Sequence, residues 1–316
     1  MISKDSATES RPSPPSFGRL MPKKQRIVSL ARKRRQTGVL FALPIIFLVA
    51  LLLVFPIIEA IYYSFTNWTG LSSTWIGIQN YAQLVTGPVF WRVLLNNGVI
   101  LLAIPFAVLI PLIVAFMINQ KVLGWRFFRS VYFLPTAVSW VVIGMVSIQF
   151  FASNGLLNRW LQLFGLKGSQ TGFLGHSATA IIAVAVTFIW SVFGTNTIIF
   201  VTGMATLSNE VLEAARVDGA STWITMVHIM APLLRRFIQL AFIMTLITAF
   251  TALFSLIFVM TGGGPGYGTT TLEFFVYQQA FSQGAFGTGA ALGIVLFLIV
   301  FAVSLFQLRL MSRDSE

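Results

Sequence analysis

Residues 209–234 read NEVLEAARVDGASTWITMVHIMAPLL, and this stretch is polar where most of the chain is apolar. The sequence on either side of it is apolar over lengths that can cross a membrane. Gly219 interrupts an otherwise helical pattern in its middle. We therefore interpret the stretch as two short helices that lie outside the membrane between two spans. It contains three of the chain's nine acidic residues: Glu210, Glu213 and Asp218.

Composition places the chain in a membrane. It has 316 residues, of which 56% are hydrophobic and 9% are charged, and its mean hydropathy is +0.84. A soluble globular domain carries about 25% charged residues, so an ordinary soluble protein is excluded. The absence of cysteine excludes disulfide bonds and thiolate metal sites. In a membrane protein, the formal net charge of +12 reflects which loops face the cytoplasm rather than binding to nucleic acid.

The N-terminal residues 1–37 contain ten Lys and Arg residues and a Pro- and Ser-rich stretch. We interpret them as a disordered basic tail on the cytoplasmic side of the membrane. The apolar stretch that follows, at about 39–63, is longer than the roughly 7–15 apolar residues of a signal peptide and has no evident cleavage site. It is therefore predicted to be an uncleaved first span.

Six stretches have the roughly 20 mostly apolar residues that a transmembrane helix needs. They predict an all-α membrane protein with six transmembrane helices and a cytoplasmic helical segment at 205–236, between the fourth and the fifth. The transmembrane domain covers 38–308, and a short cytoplasmic tail follows at 309–316. The predicted spans are about 39–63, 97–118, 131–152, 178–204, 237–260 and 287–308.

The distribution of positive charge orients these spans. An even number of spans places both termini on one side, together with the connection at 119–130 and the segment 205–236. That side holds 18 of the 21 Lys and Arg residues. Because Lys and Arg are enriched in cytoplasmic loops, both termini are predicted to be cytoplasmic.

Polar side chains inside the predicted spans are few. Four hydroxyl residues of the fifth span recur at intervals of three or four, which places them on one helix face. Three further polar or amphipathic residues lie near the middle of the fourth span. Polar groups at this depth usually face the bundle interior or a wet cavity, so they are candidates to line a substrate path; alternatively, they join helices through hydrogen bonds. The candidates are Trp190, Ser191, Asn196, Thr245, Thr248, Thr251 and Ser255.

Two other features of the spans are singled out. Gly289 and Gly293, at the start of the sixth span, have the GxxxG spacing that allows a close helix contact. Glu59, near the outer end of the first span, is either a functional carboxylate or a side chain that reaches water. Both interpretations of Glu59 stay open.

The chain lacks the patterns typical of a nucleotide, metal or hydrolase site. The stretch TGGGPGYGTTT at 261–271 has the glycine spacing of a phosphate-binding loop, but it lacks the lysine and is predicted to lie on the outer side. His176 and His228, the only histidines, fall on opposite sides of the predicted membrane and cannot share a metal ion. We therefore expect neither a catalytic site nor a metal site in this chain.

Residues 213–234, EAARVDGASTWITMVHIMAPLL, closely resemble the EAA motif of the membrane subunits of binding-protein-dependent ATP-binding cassette (ABC) importers. One departure is Ala231, which stands where leucine usually precedes the proline. The stretches YYSFTNW, FLPTAVSWVVIG and VMTGGGPGYGTTTLEFFVYQQAF resemble the carbohydrate-importing, maltose-type branch, so the resemblance covers roughly 38–308. The residues that match the motif are Glu213, Ala214, Ala215, Asp218, Gly219 and Ala220.

The resemblance implies a permease subunit of an ATP-driven importer in a prokaryotic cytoplasmic membrane, moving a mono- or oligosaccharide from an extracytoplasmic binding protein into the cytoplasm. Its implied partners are that solute-binding protein, two ATPase subunits and a second permease subunit, identical or different. ATP and Mg are expected on the ATPase subunits and no cofactor on this chain. In the family, the first short helix of segment 205–236 docks on the ATPase, and Glu213 would take the docking position.

A helix that continues from this coupling segment into the fifth span would transmit the motion of the ATPase. Two alternatives for the function stay open. The same machinery could import glycerol-3-phosphate or another polyol derivative. An ion-coupled secondary transporter is the other alternative, and it would need carboxylates or broken helices inside the membrane.

Overall fold

The computed structural model describes residues 41–120 and 133–312. Over these ranges the chain is predominantly helical, and the extended pairing within them is limited to an isolated bridge between Thr66 and Trp75. The predicted tail at 1–37, most of the predicted connection at 119–130 and the end of the C-terminal tail lie outside the described residues.

The described helices follow one another with short connections. A 3-10 turn at Leu134–Ala137 precedes the fourth of them, and one π-helical turn at Gln278–Ser282 follows the eleventh. In chain order they are α1 (Phe41–Ser64), α2 (Gln79–Thr86), α3 (Pro88–Asn119), α4 (Trp140–Phe151), α5 (Leu156–Leu163), α6 (Ser177–Met204), α7 (Asn209–Val217), α8 (Thr222–Leu233), α9 (Arg235–Thr251), α10 (Leu253–Met260), α11 (Leu272–Tyr277) and α12 (Phe286–Ser312).

Five helical stretches in the described ranges are long and apolar enough to cross a membrane. A sixth is added if α8 and α9, which meet at an angle of 75°, count as one span. This confirms the prediction of a helical membrane protein. α1 is apolar from Phe41 to Ile58, and its most hydrophobic window is not buried, which is typical of a span that faces lipid.

The predicted fifth span at 237–260 is not one continuous helix. α9 and α10 are separated at Ala252. Just before this point, Thr248 and Thr251 donate their hydroxyl hydrogens to carbonyl oxygens four residues earlier, at 2.7 and 2.9 Å. Such bonds compete with the backbone ladder and bend helices. Ser255 therefore stands on a different helix from the other three hydroxyl residues.

The centre of the protein is the pair α3 and α6. They pack closely because small buried residues, such as Ala103 and Ala107 of α3 and Ala183 of α6, let the two backbones approach. α4, α9 and α10 surround this pair and contribute to the same apolar core. The large side chains at its centre include Phe188 and Phe200. This packing fixes the positions of the helices that bear the candidate path residues.

Two asparagines of α3 hold the connection that precedes α11. Asn96 donates to the carbonyl oxygens of Tyr267 and Thr270, both at 2.8 Å. Asn97 Oδ1 accepts from the backbone amide of Leu272 at 2.8 Å. The connection is thus part of the packed structure rather than a free loop.

A buried carboxylate in α11 was not identified from the sequence. Both carboxylate oxygens of Glu273 are buried without a hydrogen-bond partner among the described residues. Burial raises the pKa of Glu273 to about 7, and the polar groups of its own backbone, Thr271 and Asn97 lower it by less. Below that pH the folded protein holds this carboxyl in its neutral form.

Replacing Glu273 with glutamine is expected to stabilise the protein above neutral pH. The pKa rises from 4.5 to about 7 on folding, so the folded state binds the extra proton and the free energy of unfolding falls as pH rises through this window. The penalty is complete above about pH 7 and amounts to roughly 3 kcal/mol, at about 1.4 kcal/mol for each pKa unit. Thermal unfolding in mild detergent should show an advantage of E273Q that grows between about pH 5 and pH 8. A gain of equal size at both ends of this range would contradict the assignment.

The two glycines of the GxxxG pair are expected to differ. A Cβ at Gly289 would lie 2.8 Å from the Ala280 side chain, whereas a Cβ at Gly293 meets no atom within 4 Å. We expect Gly289→Ala to lower the free energy of unfolding by about 1–3 kcal/mol through overpacking. Gly293→Ala is the matched control in the same helix, and it should be neutral or stabilising by up to about 1 kcal/mol. Unfolding of both variants in detergent tests this prediction. Equal losses of unfolding free energy would show that the close contact with Ala280 is not the cause of the destabilisation.

Candidate functional site

A cavity of about 220 Å³ lies between three parts of the helix bundle. Its walls are the middle of α6, the middle of α9, and the turn at Leu134–Ala137 with the first residues of α4. None of the side chains that line it is charged. The lining residues are Pro135, Thr136, Val138, Trp140, Ile143, Ser191, Val192, Thr195, Asn196, Met244, Thr245 and Thr248.

The cavity brings together four of the seven predicted path residues, namely Ser191, Asn196, Thr245 and Thr248. Trp190 instead lines a separate, apolar pocket of about 330 Å³ between α4 and α6. Adjacent residues of a helix with 3.6 residues per turn point in different directions, which explains why Trp190 and Ser191 line different pockets. Thr251 and Ser255 line neither of these two pockets.

Asn196 and Thr245 are buried and bonded to each other. Asn196 Nδ2 donates to Thr245 Oγ1 at 2.9 Å, and the Thr245 hydroxyl faces Asn196 Oδ1 at 3.3 Å. The second amide hydrogen of Asn196 goes to the carbonyl oxygen of Ala107 in α3, at 2.8 Å. Both donors of this amide are therefore used within the protein.

Two other predicted hydroxyl residues that line the cavity, Ser191 and Thr248, have oxygens that can still accept a hydrogen bond. Ser191 donates to the carbonyl oxygen of Thr187, and Thr248 donates to that of Met244, both at 2.7 Å. Because each hydroxyl has one hydrogen and two lone pairs, their oxygens remain able to accept. The cavity wall thus offers acceptors along α6 and α9.

Three residues of the cavity were missed by sequence reasoning. Thr136 precedes α4, and Trp140 starts it, with its ring stacked on Phe188 at 6.2 Å between centroids. Thr195 is exposed in this chain, and its hydroxyl makes no hydrogen bond with the residues that the structure describes. The spacing of Ser191 and Thr195, four residues apart, was a signal that could have identified the latter.

The coupling segment folds as two helices joined by a tight turn at Gly219. Its φ of +78° lies in the left-handed region, which favours glycine. The Ala220 amide donates to the carbonyl oxygen of Ala215 at 2.9 Å, the bond that closes a helix end at a left-handed residue. Ser221 then begins α8 by accepting from the Ile224 amide at 3.3 Å. The sequence DGAS thus supplies the residues that end one helix and begin the next.

The coupling segment presents a mixed surface. Glu213, Ala214, Asp218 and Gly219 are exposed, Ala220 is half-buried and Ala215 is buried. The same segment leaves large apolar side chains uncovered, with Val217 87% and Trp223 63% exposed. Exposed apolar groups next to charged ones are typical of a protein contact surface.

The connection from the coupling segment to the next helix is not continuous, which corrects the expected straight link. α8 and α9 meet at 75° around Leu234. Leu234 is fully buried, and a Cβ at Gly203, near the end of α6, would lie 2.6 Å from the Phe237 ring of α9. The end of α6 and the start of α9 are therefore packed directly against each other.

Comparison with solved structures shows the fold. A chain in the crystal structure of a bacterial ABC transporter involved in the import of the acidic polysaccharide alginate is similar with a TM-score of 0.76 and 21% identity, over 91% of this chain and 100% of that chain. A chain in the bacterial alginate ABC transporter in complex with an alginate pentasaccharide-bound periplasmic protein gives a TM-score of 0.77 and 21% identity, over 90% and 96%.

Curated proteins of higher identity are permeases. The multiple sugar-binding transport system permease protein MsmF of Streptococcus mutans is 34% identical over 262 residues, which is 82% of this chain and 89% of that protein. The probable ABC transporter permease protein YurN of Bacillus subtilis is 34% identical over 276 residues, which is 85% and 94%.

A family model described as binding-protein-dependent transport system inner membrane component matches residues 82–313. Its description and the names of the relatives denote transport components, which agrees with the expectation from the sequence. The chain belongs to this family of inner-membrane components of binding-protein-dependent transport systems, and it is an ABC transporter permease rather than an enzyme.

Proposed function

We propose that this chain is the permease subunit of an ATP-driven importer that moves a carbohydrate from an extracytoplasmic binding protein into the cytoplasm. The observation that carries this proposal is the cavity between α4, α6 and α9, which is lined by hydroxyl groups, an indole and an amide without any charged side chain. The names of relatives support it, since they include a lactose and an arabinooligosaccharides transport system permease protein.

A neutral, hydroxyl-rich cargo fits this cavity better than glycerol-3-phosphate. Arg and Lys, the residues that pair with the charge of a phosphate group, do not line the cavity, although the start of α4 does and helix N-termini can bind phosphate. The cavity volume of about 220 Å³ lies below the roughly 300–1,000 Å³ of ordinary ligand sites. Because this cavity alone is small for a ligand site, we propose that a second permease subunit, of the same or a different sequence, completes the substrate path.

The proposed topology has six spans, with α9 and α10 together forming the fifth. Both termini and the coupling segment at 205–236 lie on the cytoplasmic side of a prokaryotic cytoplasmic membrane. The support for this orientation is the placement of 18 of the 21 Lys and Arg residues on one side of the predicted membrane.

The coupling segment is proposed to dock on one of two partner ATPase subunits, which bind ATP and Mg. Its exposed Glu213 and the uncovered Val217 and Trp223 support a contact at this place. Because the segment is joined to α9 through a bend, its motion would reach the spans through the packing of Gly203 against Phe237 and not through one straight helix.

An ion-coupled secondary transporter is the competing function. Among the described helices that pass as candidate spans, the only acidic residue is Glu59, and it is exposed near the end of α1. The buried Glu273 lies in α11 and does not line the cavity. Uptake that persists without the ATPase subunits would favour the secondary transporter.

Substitutions in the coupling segment are expected to uncouple transport from ATP hydrolysis. Glu213→Ala removes the proposed docking carboxylate, and Gly219→Val forces a β-branched residue into positive φ. In the assembled complex, either change should lower uptake by roughly tenfold or more and abolish stimulation of ATP hydrolysis by loaded binding protein. Glu210→Ala, an exposed glutamate of the same helix outside the motif, is the matched control. Normal uptake and normal stimulation in the E213A/G219V double variant would refute the coupling role.

Substitutions of threonine in α9 are expected to lower uptake only where the residue lines the cavity. Thr248 lines the cavity and Thr251 does not, although both are threonines of α9 with the same internal bond. Thr248→Val, and likewise Thr195→Val in α6, should lower kcat/KM for uptake with loaded binding protein by about 3- to 10-fold through loss of a hydrogen bond.

Thr251→Val serves as the comparison for the cavity variants. The cavity geometry predicts no change in uptake for it, whereas the sequence pattern alone placed Thr251 with the others. An equal loss in T251V and T248V would favour the helical-face interpretation over the observed cavity.

A further inference from the structure

The second predicted span contains a gap in its own hydrogen-bond ladder. In a regular α-helix the backbone amide of residue 111 would donate to the carbonyl oxygen of Ala107. Residue 111 is proline, which has no N–H. Both Ala107 and Pro111 are buried, and a carbonyl without a donor is strongly unfavourable inside a membrane.

A side chain from another helix fills this gap. Asn196 Nδ2 lies 2.8 Å from the carbonyl oxygen of Ala107, and Asn196 is only 1% exposed. Because a carbonyl oxygen can only accept, the amide must turn its NH₂ group towards Ala107, which fixes the orientation of the side chain. Asn196 is about 12 Å along the helix axis from the end of α6, and its burial keeps water from replacing the bond.

The same amide also reaches a third helix. Its second hydrogen goes to Thr245 Oγ1 in α9 at 2.9 Å. One side chain of α6 is thus bonded to α3 and to α9 at once. Since both of its donors are taken, Asn196 has none left for a cargo in the cavity that it lines.

We infer that Asn196 is a positioning residue, which supplies the donor that Pro111 removes and holds α3, α6 and α9 together around the cavity. α6 and α9 flank the coupling segment, so a movement of that segment would carry both cavity walls and α3 with it. The consequence for transport rests on the proposed function, whereas the replacement of the missing backbone donor does not.

The positioning role and a cargo-binding role predict different responses at Pro111. If Asn196 substitutes for the missing amide, then Pro111→Ala restores that amide and makes Asn196 less important. If Asn196 binds cargo, restoring the helix does not compensate for its loss. A double-substitution cycle between the two positions separates the roles.

The cycle is measured on the full complex, purified in mild detergent and reconstituted in vesicles with the loaded binding protein. Asn196→Ala is expected to lower Tm by about 5 °C and the maximal uptake rate by about threefold or more. N196A/P111A should recover about half or more of both losses. If N196A does not assemble, Asn196→Ser, which shortens the side chain but keeps a hydroxyl, takes its place in the cycle.

Pro105 provides a matched control in the same helix. It also lacks an N–H and leaves the carbonyl oxygen of Leu101 without its helical donor, but the structure describes no side chain that donates to that oxygen. N196A/P105A is therefore expected to show no recovery. Additive losses in N196A/P111A, or equal recovery with P105A, would overturn the inference.

The Tm cycle needs no cargo, so recovery of Tm in a complex that takes up no carbohydrate would support the role of Asn196 while refuting the proposed function.

Discussion

A carbonyl oxygen in the hydrocarbon interior of a membrane has no water to bond, so it needs a donor from the protein. Regular helices meet this need for themselves, but proline breaks and irregular connections do not. In this protein, buried asparagine side chains repeatedly act as partners for such backbone groups. An amide suits the task because it donates and accepts without bringing a charge into the core. The asparagines concerned are Asn80, Asn96, Asn97, Asn158 and Asn196.

These bonds join parts of the protein that are far apart in the sequence. The connection before α11 is tied to α3 by Asn96 and Asn97, and the cavity walls are tied to the same helix by Asn196. The coupling segment is bounded by α6 and α9, the two helices that supply most of the cavity lining. A change at the coupling surface would therefore reach the cavity through a few packed contacts, of the kind that shift between discrete arrangements rather than bend continuously.

The sequence predicts the spans well where about twenty mostly apolar residues form one helix, as in α1, α6 and α12. It fails where a helix depends on its surroundings. The fifth span is interrupted at Ala252. α3 begins at Pro88, before the predicted start at 97, and its buried Asn96 and Asn97 are bonded to the connection that precedes α11. Gly289 and Gly293 form one pattern, yet only Gly289 meets a close neighbour. Which residue meets which is decided by tertiary packing, and a local pattern does not contain that information.

The candidate path shows the same limit, and it also shows how polar residues at membrane depth are better interpreted. Asn196 bonds a carbonyl 89 positions away in the chain, so no local pattern could reveal that its donors are used. Once donors are counted, Ser191 and Thr248 offer acceptor oxygens to the cavity, while the hydroxyl group of Thr195, another lining residue, is able to donate. The hydroxyl groups of a carbohydrate can donate to the first set and accept from the second, whereas a phosphate group mainly accepts. The direction of the hydrogen bonds, as well as the absence of charged lining residues, therefore supports the proposal of a neutral polyhydroxylated cargo.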